Sequence, residues 1–439
     1  MKTITRSCPY LLFNSLMGAD FSGRISTLIL FKFLLILVFA GSAFHGFSQS
    51  KNGILVDYSK TKEVKKRIQH KDENYLPAYN ALIEKAEVAM NEGPFSVMYK
   101  KRTPPSGDKH DYISLGSYWW PDPSKPDGLP YIRKDGQRNP ETLSDEVDRY
   151  SMAKLFKNVE SLGWAYYFSG EEKYAKKATL LLETWFVNEE TKMNPNLNYA
   201  QGIVGRFDGR LGGIIDLSTK IDQLYSPIQI LEANHFFSKN SKETLFGWFE
   251  DYLDWLLTVG SVPGNDGKIE ADAKNNHGTH YDAQAVGICL LLGKTEMAKT
   301  RLENAQTKRI ASQIDPDGSL PLELARTKSL GYTSMNLRAF TYLAIMADKV
   351  GLDLWNFEMD DGRGIRKTYE FLDPYVQGKK KWEYKEIKSV EDALESIKIL
   401  NLVAASTFGG KNHLKIAQSI SPKTDLNFLL HPLPSMIDY

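Results

Sequence analysis

Cysteine is almost absent from this sequence. Among 439 residues there are two, Cys8 and Cys289. Cys8 lies in an N-terminal segment that we expect to be removed, and Cys289 lies in an apolar run, where a buried and inert thiol is expected. The mature monomer is therefore expected to have no disulfide, which excludes disulfide-framed folds, and its stability must come from a hydrophobic core.

The sequence also lacks an excess of charge of either sign. It has 55 basic and 54 acidic side chains, a formal net charge of +1. Nucleic-acid binding normally shows as a clustered basic excess, so no nucleic-acid partner is expected. Aromatic residues are plentiful, with 8 Trp, 22 Tyr and 21 Phe. Such rings fill cores and also form platforms for sugar faces, and composition leaves both uses open.

No apolar run is long enough to predict a membrane span, but the N-terminus has a shorter one. Arg24 and Lys32 flank and interrupt the apolar segment Ile25–Phe47, and small residues close it. This pattern predicts a secretory signal peptide over residues 1–49, or an uncleaved anchor. We expect a periplasmic or secreted protein whose residues 50–439 form a single domain, with no membrane contact unless the signal stays uncleaved.

The sequence also lacks the alternation of apolar and polar residues that is typical of strands. Its apolar residues recur at helical spacing instead. From about residue 146, apolar residues recur at helical intervals, and the pattern of helix, Gly-containing turn and helix then repeats without a fixed period. This fits either a solenoid or a closed ring. We predict an all-α chain folded as an incomplete α/α toroid, because its loops are longer and richer in polar groups than solenoid turns. The predicted helices cover residues 146–169, 171–186, 212–224, 241–259, 279–292, 294–312, 332–350, 363–376 and 391–406.

Two long loops lie at Pro104–Glu141 and Asn188–Gly213, the first before the predicted helices and the second among them. Structureless stretches of this length in a compact domain are usually functional. The first loop contains Tyr118, Trp119 and Trp120. These rings either pack the loop onto the barrel or line a carbohydrate cleft, and the two uses are compatible.

Arg206 and Arg210 lie in a Gly-rich stretch of the second loop. Two guanidinium groups at such a place suit bidentate binding of an acidic substrate. Arg–Asp pairs that hold the loop itself explain them equally well. Both residues are candidates for substrate binding.

The segment Glu270–Asp282 concentrates groups suited to proton transfer. Asn275, Asn276 and His277 stand at the entrance of a predicted helix, where amide donors and an imidazole beside the positive end of the helix dipole favour an anion. Asn275 is therefore a candidate for substrate binding. The alternative is that an Asn merely caps the helix and His277 bonds to the backbone.

A second segment, Asp315–Arg338, places Arg326 and Tyr332 just before the next apolar helix. Taken alone, Arg326 is equally well explained as an ion-pair partner and Tyr332 as an aromatic ring of the core. Its Asp-Pro-Asp-Gly turn lacks the spaced oxygen ligands of a calcium loop. His277 and His280 likewise lack third and fourth ligands for zinc. We expect no metal and no cofactor.

Together these residues suit β-elimination on a uronic acid. The C5 proton is weakly acidic until the adjacent carboxylate is neutralised, because abstraction places a second negative charge on that group. Asn, Arg and imidazolium donors can hold the developing charge. A Tyr can act as base and acid when the proton and O4 share a face, and a His can serve as a separate base when they do not. Asn276, His277, Arg326 and Tyr332 supply these groups.

The sequence resembles the alginate-lyase-like polysaccharide lyases, a family with an α/α toroid fold. The resemblance covers about Lys109 to Gly351. It implies that Asn276, His277 and Arg326 engage the uronate carboxylate of an acidic polysaccharide, and that Tyr332, helped by His277, transfers protons. It rests on the motifs His110-Asp-Tyr112, Tyr118-Trp-Trp-Pro-Asp-Pro123, Asn275-Asn-His277 and Asp317–Arg326 with Tyr332.

One stretch departs from the family pattern. Alginate lyases proper are similar in having an aromatic pair soon after the His, whereas this chain has Gly278-Thr279-His280-Tyr281. Alginate, glucuronan and other uronate polymers therefore stay open as substrates. His280 and Tyr281 follow His277 by three and four residues, so a helix would place them near the same face, where they bind substrate or pack.

The leading hypothesis is an exported lyase that degrades an acidic polysaccharide and leaves a 4,5-unsaturated uronate end. One alternative is a glycan-binding protein without activity. Another is a glycoside hydrolase on a similar toroid, which needs two carboxylates flanking the scissile bond. Asp272, Asp282 and Glu323 are available for that role, although nothing in the sequence pairs them.

Overall fold

A computed structural model describes residues 53–211 and 215–433. The predicted signal segment, residues 1–49, lies outside the described residues, as does the predicted start of a helix at residue 212. In the described part of the chain, every helix is too short or too polar to cross a bilayer.

Helices dominate the described residues, which confirms the predicted all-α class. Four short strands interrupt them, β1 Ile113–Leu115, β2 Trp119–Trp120, β3 Ile132–Arg133 and β4 Tyr199–Gly202. The helices are α1 Tyr58–Gln69, α2 Leu76–Met90, α3 Arg149–Ser169, α4 Glu172–Phe186, α5 Ile215–Ser218, α6 Asp222–Ala233, α7 Lys239–Val259, α8 Asn276–Leu291, α9 Thr295–Ala305, α10 Ala311–Gln313, α11 Pro321–Leu324, α12 Ser329–Lys349, α13 Ile365–Val376, α14 Val390–Phe408, α15 Lys411–Gln418 and α16 Asn427–Leu430.

The helices form two layers around a common centre. Helices α3, α6, α8, α12 and α14 pack side by side in chain order, and α4, α7, α9, α13 and α15 pack against them. The short helix α16 contacts α14, α1 and α2 and so bridges the two ends of the ring. The chain has the predicted α/α toroid fold.

Close packing between neighbouring inner helices depends on small residues at the crossings. In α3, Leu155, Val159 and Leu162 recur at helical spacing and are fully buried. Gly163 lies where α3 meets α6, and a Cβ added there would stand 2.7 Å from a side-chain carbon of Pro227. Glycine therefore lets the two helices approach closely.

Several predicted boundaries were wrong. The predicted helix 212–224 is broken after Ser218, and a new helix, α6, continues to Ala233 despite Pro227 in its interior. Helices α1, α2, α11, α15 and α16 were not predicted, and nor was most of α6. The two long loops also contain structure, because β1 pairs with β4 in parallel and β2 pairs with β3 antiparallel.

The inner helices share a direction that matters for function. The N-terminal ends of three of them, α3, α8 and α12, line one cavity at one end of the toroid. Since the N-terminus of a helix carries a partial positive charge, this end of the toroid favours an anion.

Candidate active site

The cavity at the helix N-termini has a volume of about 620 Å³. The four predicted catalytic residues all line it, although they come from α8, α12 and the segment between α11 and α12. Of the predicted substrate-binding residues, those that line it are Tyr118, Trp119, Arg206, Arg210 and Asn275.

Asn276 opens α8 and is fully buried beneath the cavity. Its backbone N–H donates to Glu323 Oε1 at 2.6 Å, and its Nδ2 donates to Glu323 Oε2 at 2.8 Å. Asn275, one residue earlier, caps the helix by accepting the His277 N–H at 3.2 Å. The capping interpretation therefore holds for Asn275, which also lines the cavity.

His277 is held from behind by a buried acid. Its Nδ1 lies 2.8 Å from Oε2 of Glu270, whose side chain is 8% exposed. Burial acts to raise the pKa of Glu270, but the charge of His277 lowers it below its usual value. Because Glu270 holds Nδ1, the imidazole presents its Nε2 to the cavity, as a carboxylate-oriented histidine does.

Gly278 permits this arrangement at the first turn of α8. A Cβ there would lie 2.0 Å from the carbonyl oxygen of Ala273 and 2.6 Å from Nη1 of Arg309. Arg309 is buried and donates to the carbonyl oxygens of Ala271 and Ala273. It thereby fixes the turn that carries Glu270 against the helix that carries His277.

Arg326 and Tyr332 form a second pair that lines the cavity. The Arg326 guanidinium lies over the Tyr332 ring, with Cζ 3.9 Å from the ring centroid, and its Nη2 donates to Tyr332 Oη at 3.0 Å. Asp135 accepts from Arg326 Nη2 at 2.7 Å and from the Thr327 hydroxyl at 2.8 Å. Despite partial burial, these hydrogen bonds hold the pKa of Asp135 well below its usual range.

Tyr118 meets this pair from the other side. Its Oη accepts from Tyr332 Oη at 2.7 Å and from Lys328 Nζ at 3.0 Å. Although burial acts in the opposite direction, these two hydrogen bonds lower the pKa of Tyr118. Burial raises the pKa of Tyr332, and Tyr118 raises it further. Tyr332 thus holds its proton in this arrangement.

Tyr118 and Asp135 both belong to a segment that covers the cavity, residues 116–139, here called the flap. Within it, β2 and β3 form a hairpin that carries Trp119 over the cavity. The Arg206 guanidinium stacks on the Trp119 ring at 5.2 Å, so this ring contributes to one wall.

Trp120 does not line the cavity. Its indole N–H donates to the Gln137 carbonyl at 2.9 Å, and Lys134 lies 5.1 Å from its ring centroid. Successive strand residues point to opposite sides, so only one of the two adjacent tryptophans can face the cavity. The prediction that both bind substrate therefore requires correction for Trp120, which packs within the flap.

His280 and Tyr281 are also placed away from the cavity. His280 is 2% exposed, with Nε2 3.2 Å from the Met335 carbonyl, and Tyr281 donates to the Leu256 carbonyl at 3.0 Å. Burial, with help from Arg338, lowers the pKa of His280 to about 3. These residues lie one turn deeper along α8, inside the toroid, so the predicted role in substrate binding is corrected to packing.

The sequence and fold of this chain are similar to those of known alginate lyases. The alginate lyase family model matches residues 96–382. The chain is similar to the crystal structure of an alginate lyase from Bacteroides ovatus, with 39% identity over 87% of this chain and 99% of that one, at a TM-score of 0.81. The chain belongs to the alginate lyase family.

More distant similarity supports the fold of this family member. Alginate lyase A1-III from Sphingomonas species A1 matches at 17% identity and a TM-score of 0.55, over 89% of this chain and 99% of that one. A variant of A1-III solved with a tetrasaccharide matches at 16% identity and 0.56, with the same coverage. No curated protein sequence matches the chain.

The site of this alginate lyase family member contains cations that the sequence did not single out. Arg138, Arg149 and Lys220 line the cavity together with Arg206 and Arg210. Burial and the neighbouring Arg149 lower the pKa of Lys220 to about 8. These cations stand alone in the sequence, without a motif to mark them, and only the fold brings them together.

A buried carboxylate organises part of this basic wall. Asp216 accepts from Arg149 Nη2 at 2.9 Å and from Gln201 Nε2 at 2.7 Å, and Gln201 Oε1 in turn accepts from Arg210 at 2.9 Å. Burial acts to raise the pKa of Asp216, but the charge of Arg149 lowers it below its usual value. Two cavity-lining arginines are thus fixed through one acid.

Other acids lie elsewhere. Asp282 pairs with the buried Arg309 at 2.6 Å, and Asp272 pairs with Lys308 at 2.8 Å. Neither lines the cavity, and nor does Glu323, which lies behind Asn276. In the described part of the chain, no group of three or more His, Cys, Asp or Glu side chains is arranged to hold a metal ion.

Proposed function

We propose that this polysaccharide lyase family member cleaves a uronic-acid polymer by β-elimination. The observation that carries the proposal is one cavity that joins carboxylate-binding donors to a protonated tyrosine. Asn276, His277, Arg326 and Tyr332 all line this cavity. A uronate residue in the cavity would meet both sets of groups.

The donors would stabilise the charge that develops on the substrate carboxylate. When the C5 proton leaves, a second negative charge spreads onto that group, and donors already fixed in place stabilise it without reorganisation. Arg326 is fixed by Asp135, and Asn276 is fixed by Glu323. The N-terminus of α8 adds its partial positive charge.

Proton transfer completes the reaction. The electrons of the C5–H bond form the C4–C5 double bond, the C4–O4 bond breaks, and O4 takes up a proton. Tyr332, which keeps its proton, would give that proton to O4. The C5 proton goes to His277 when it lies on the face opposite O4. When it lies on the same face, it goes to the Tyr332 oxygen as that group gives its own proton to O4.

Alginate is the polymer to test first. The relative at 39% identity is named an alginate lyase. The argument for glucuronan depended on residues 278–281, and His280 and Tyr281 are buried away from the cavity. That departure from the family pattern therefore does not distinguish between polymers.

The hydrolase alternative has little geometric support. It depended on Asp272, Asp282 and Glu323, none of which lines the cavity. The alternative of a glycan-binding protein makes no use of the Tyr332 hydroxyl. Export to the periplasm or the medium stays a proposal that rests on the N-terminal sequence alone.

The decisive experiment compares wild type with Tyr332→Phe on polymannuronate, polyguluronate, glucuronan and glycosaminoglycans. With wild type, the ultraviolet absorbance of the unsaturated uronate should increase on one polymer. The rate of this increase should be about 10²- to 10⁴-fold lower in the variant, which is the usual contribution of a general acid–base group. Tyr150→Phe is the matched control, because Tyr150 is 47% exposed and lies outside the cavity lining. New reducing ends without absorbance would indicate a hydrolase, and binding without either product would indicate a glycan-binding protein.

A further inference from the structure

Asn276 carries an unpaired atom in a place where a buried polar atom normally has a partner. Its Oδ1 is buried and, among the described residues, has no hydrogen-bond partner. Asn276 lines the cavity, but its Nδ2 points away from it, toward Glu323. Leaving a buried amide oxygen unpaired costs free energy.

This orientation also opposes the chemistry of the cavity. If Nδ2 is used by Glu323, then Oδ1, an acceptor with partial negative charge, is the atom left for the substrate carboxylate. An acceptor facing an anion is repulsive, whereas a donor is attractive. The oxygen and nitrogen of an amide have nearly the same size, so their partners decide which way the group faces.

Glu323 has the surroundings of a neutral carboxyl. It is 1% exposed, and no Lys, Arg or His nitrogen lies within ion-pair distance of it in the described part of the chain. Burial raises the pKa of Glu323, and the hydrogen bonds from Asn276 and the charges of His277 and Arg326 offset this only in part. From α12, the group that faces it is the neutral Asn336 amide.

We propose that Glu323 is protonated and acts as a positioning residue that turns the Asn276 amide nitrogen toward the substrate carboxylate. The proposal rests on the lyase function proposed above. The Glu323 hydroxyl at Oε2 donates to Asn276 Oδ1 across the 2.8 Å contact. Oε1 keeps the Asn276 N–H at 2.6 Å and Asn336 Nδ2 at 3.1 Å.

This arrangement gives the unpaired oxygen of Asn276 a donor. It also leaves both hydrogens of Nδ2 for the substrate carboxylate, which pairs them when it binds. Glu323 lies three residues before Arg326 and contacts Asn336 in the helix that carries Tyr332, so it connects these residues with Asn276.

The test compares Glu323→Gln with Glu323→Leu. Glutamine offers an acceptor and a donor in the same positions as the protonated acid, whereas leucine offers neither. Glu323→Leu should lower kcat/KM at least about tenfold, the effect of leaving a buried partner unpaired, and Glu323→Gln should recover activity to within about threefold of wild type. Glu160→Gln is the control, because Glu160 is a partly buried acid that accepts from Gln223 and does not line this cavity.

The pH profile and the infrared spectrum report on the proton itself. Since the protonated form is the active one, activity should fall as pH rises through the Glu323 pKa, and this limb should be missing in Glu323→Gln. The difference spectrum of wild type minus Glu323→Gln should show the carbonyl stretch of a protonated carboxyl. Burial and Asp222 raise the pKa of Glu160, so the difference spectrum of Glu160→Gln is recorded for comparison.

The outcomes separate the two proposals. Loss of activity in a folded Glu323→Gln that equals the loss in Glu323→Leu would overturn the role of Glu323, and so would a difference spectrum without the band. An inactive wild type would overturn the lyase function, while the infrared result would still decide the protonation of Glu323.

Discussion

Glu270→Gln tests whether the acid behind His277 controls its chemistry. The substitution removes one negative charge and keeps the shape of the side chain. Glutamine can still accept the Nδ1–H of His277 through its amide oxygen, but it cannot stabilise the charged imidazolium. If its NH₂ group faces Nδ1 instead, the tautomer inverts and Nε2 carries the proton, which removes the base from the cavity.

The size of the effect follows from the contact. The 2.8 Å distance and the 8% exposure of the Glu270 side chain describe a charge-assisted hydrogen bond that is shielded from water. Such a bond contributes about 1.5–3 kcal/mol. Because about 1.4 kcal/mol corresponds to a factor of ten, kcat/KM should fall about 10- to 150-fold.

The assay is the initial rate of ultraviolet absorbance on the polymer that wild type cleaves. The loss should appear mainly in kcat, since Glu270 acts on the proton-transfer group. Asp272→Asn is the control, because Asp272 lies in the same turn but pairs with Lys308 at the surface, with its side chain 59% exposed. A folded Glu270→Gln that keeps more than half of the activity, or an equal loss in the control, would refute the reasoning.

Two further predictions concern the supports of the site. Lys100→Met should lower the free energy of unfolding, measured by urea titration, by about 3–5 kcal/mol. The reason is that it leaves the buried Asp148 carboxylate, 3.1 Å from Lys100 Nζ, without a cation. Lys101→Met, which removes the cation of an exposed pair, should leave the midpoint of urea unfolding unchanged. Gly278→Ala should cost about 1–3 kcal/mol through overpacking and should also lower kcat, whereas Gly247→Ala, with open space around it, should not destabilise the protein. Equal thermal shifts in the two glycine variants would contradict the packing argument.

The long helices could be read from the sequence because their apolar spacing is regular. Helices α3, α4, α7 and α12 lie within a few residues of their predicted bounds. Helix α1 was missed since it is rich in Lys and carries few apolar residues, and α6 was missed because Pro227 lies inside it. The strands, each two to four residues long, are too short to give an alternating pattern.

The motifs of the site were visible because they lie next to helix starts, where polar residues interrupt apolar ones. The error at His280 and Tyr281 has a different cause. Rules about helix faces assume that one face meets solvent, whereas α8 is buried along nearly its whole length. The neighbours of His277 on that helix therefore meet other helices rather than the cavity. Glu270 stood in the same motif, but its partner could be identified only from the fold.

The acids around this site are each engaged by a neighbouring side chain. Glu270 holds His277, Glu323 holds Asn276, and Asp135 holds Arg326. Asp266, which lines the cavity with Glu270, lies 3.7 Å from Arg210. A hydrolase needs instead two carboxyl groups that are free to act on the scissile bond.

The basic wall of the cavity predicts selectivity for an acidic polymer. A neutral glycan in the cavity would displace water from Arg138 and Lys220 without offering an anion in return, and the desolvation of cations is costly. A uronate chain supplies one carboxylate per sugar, and so it repays this desolvation at each position along the cavity.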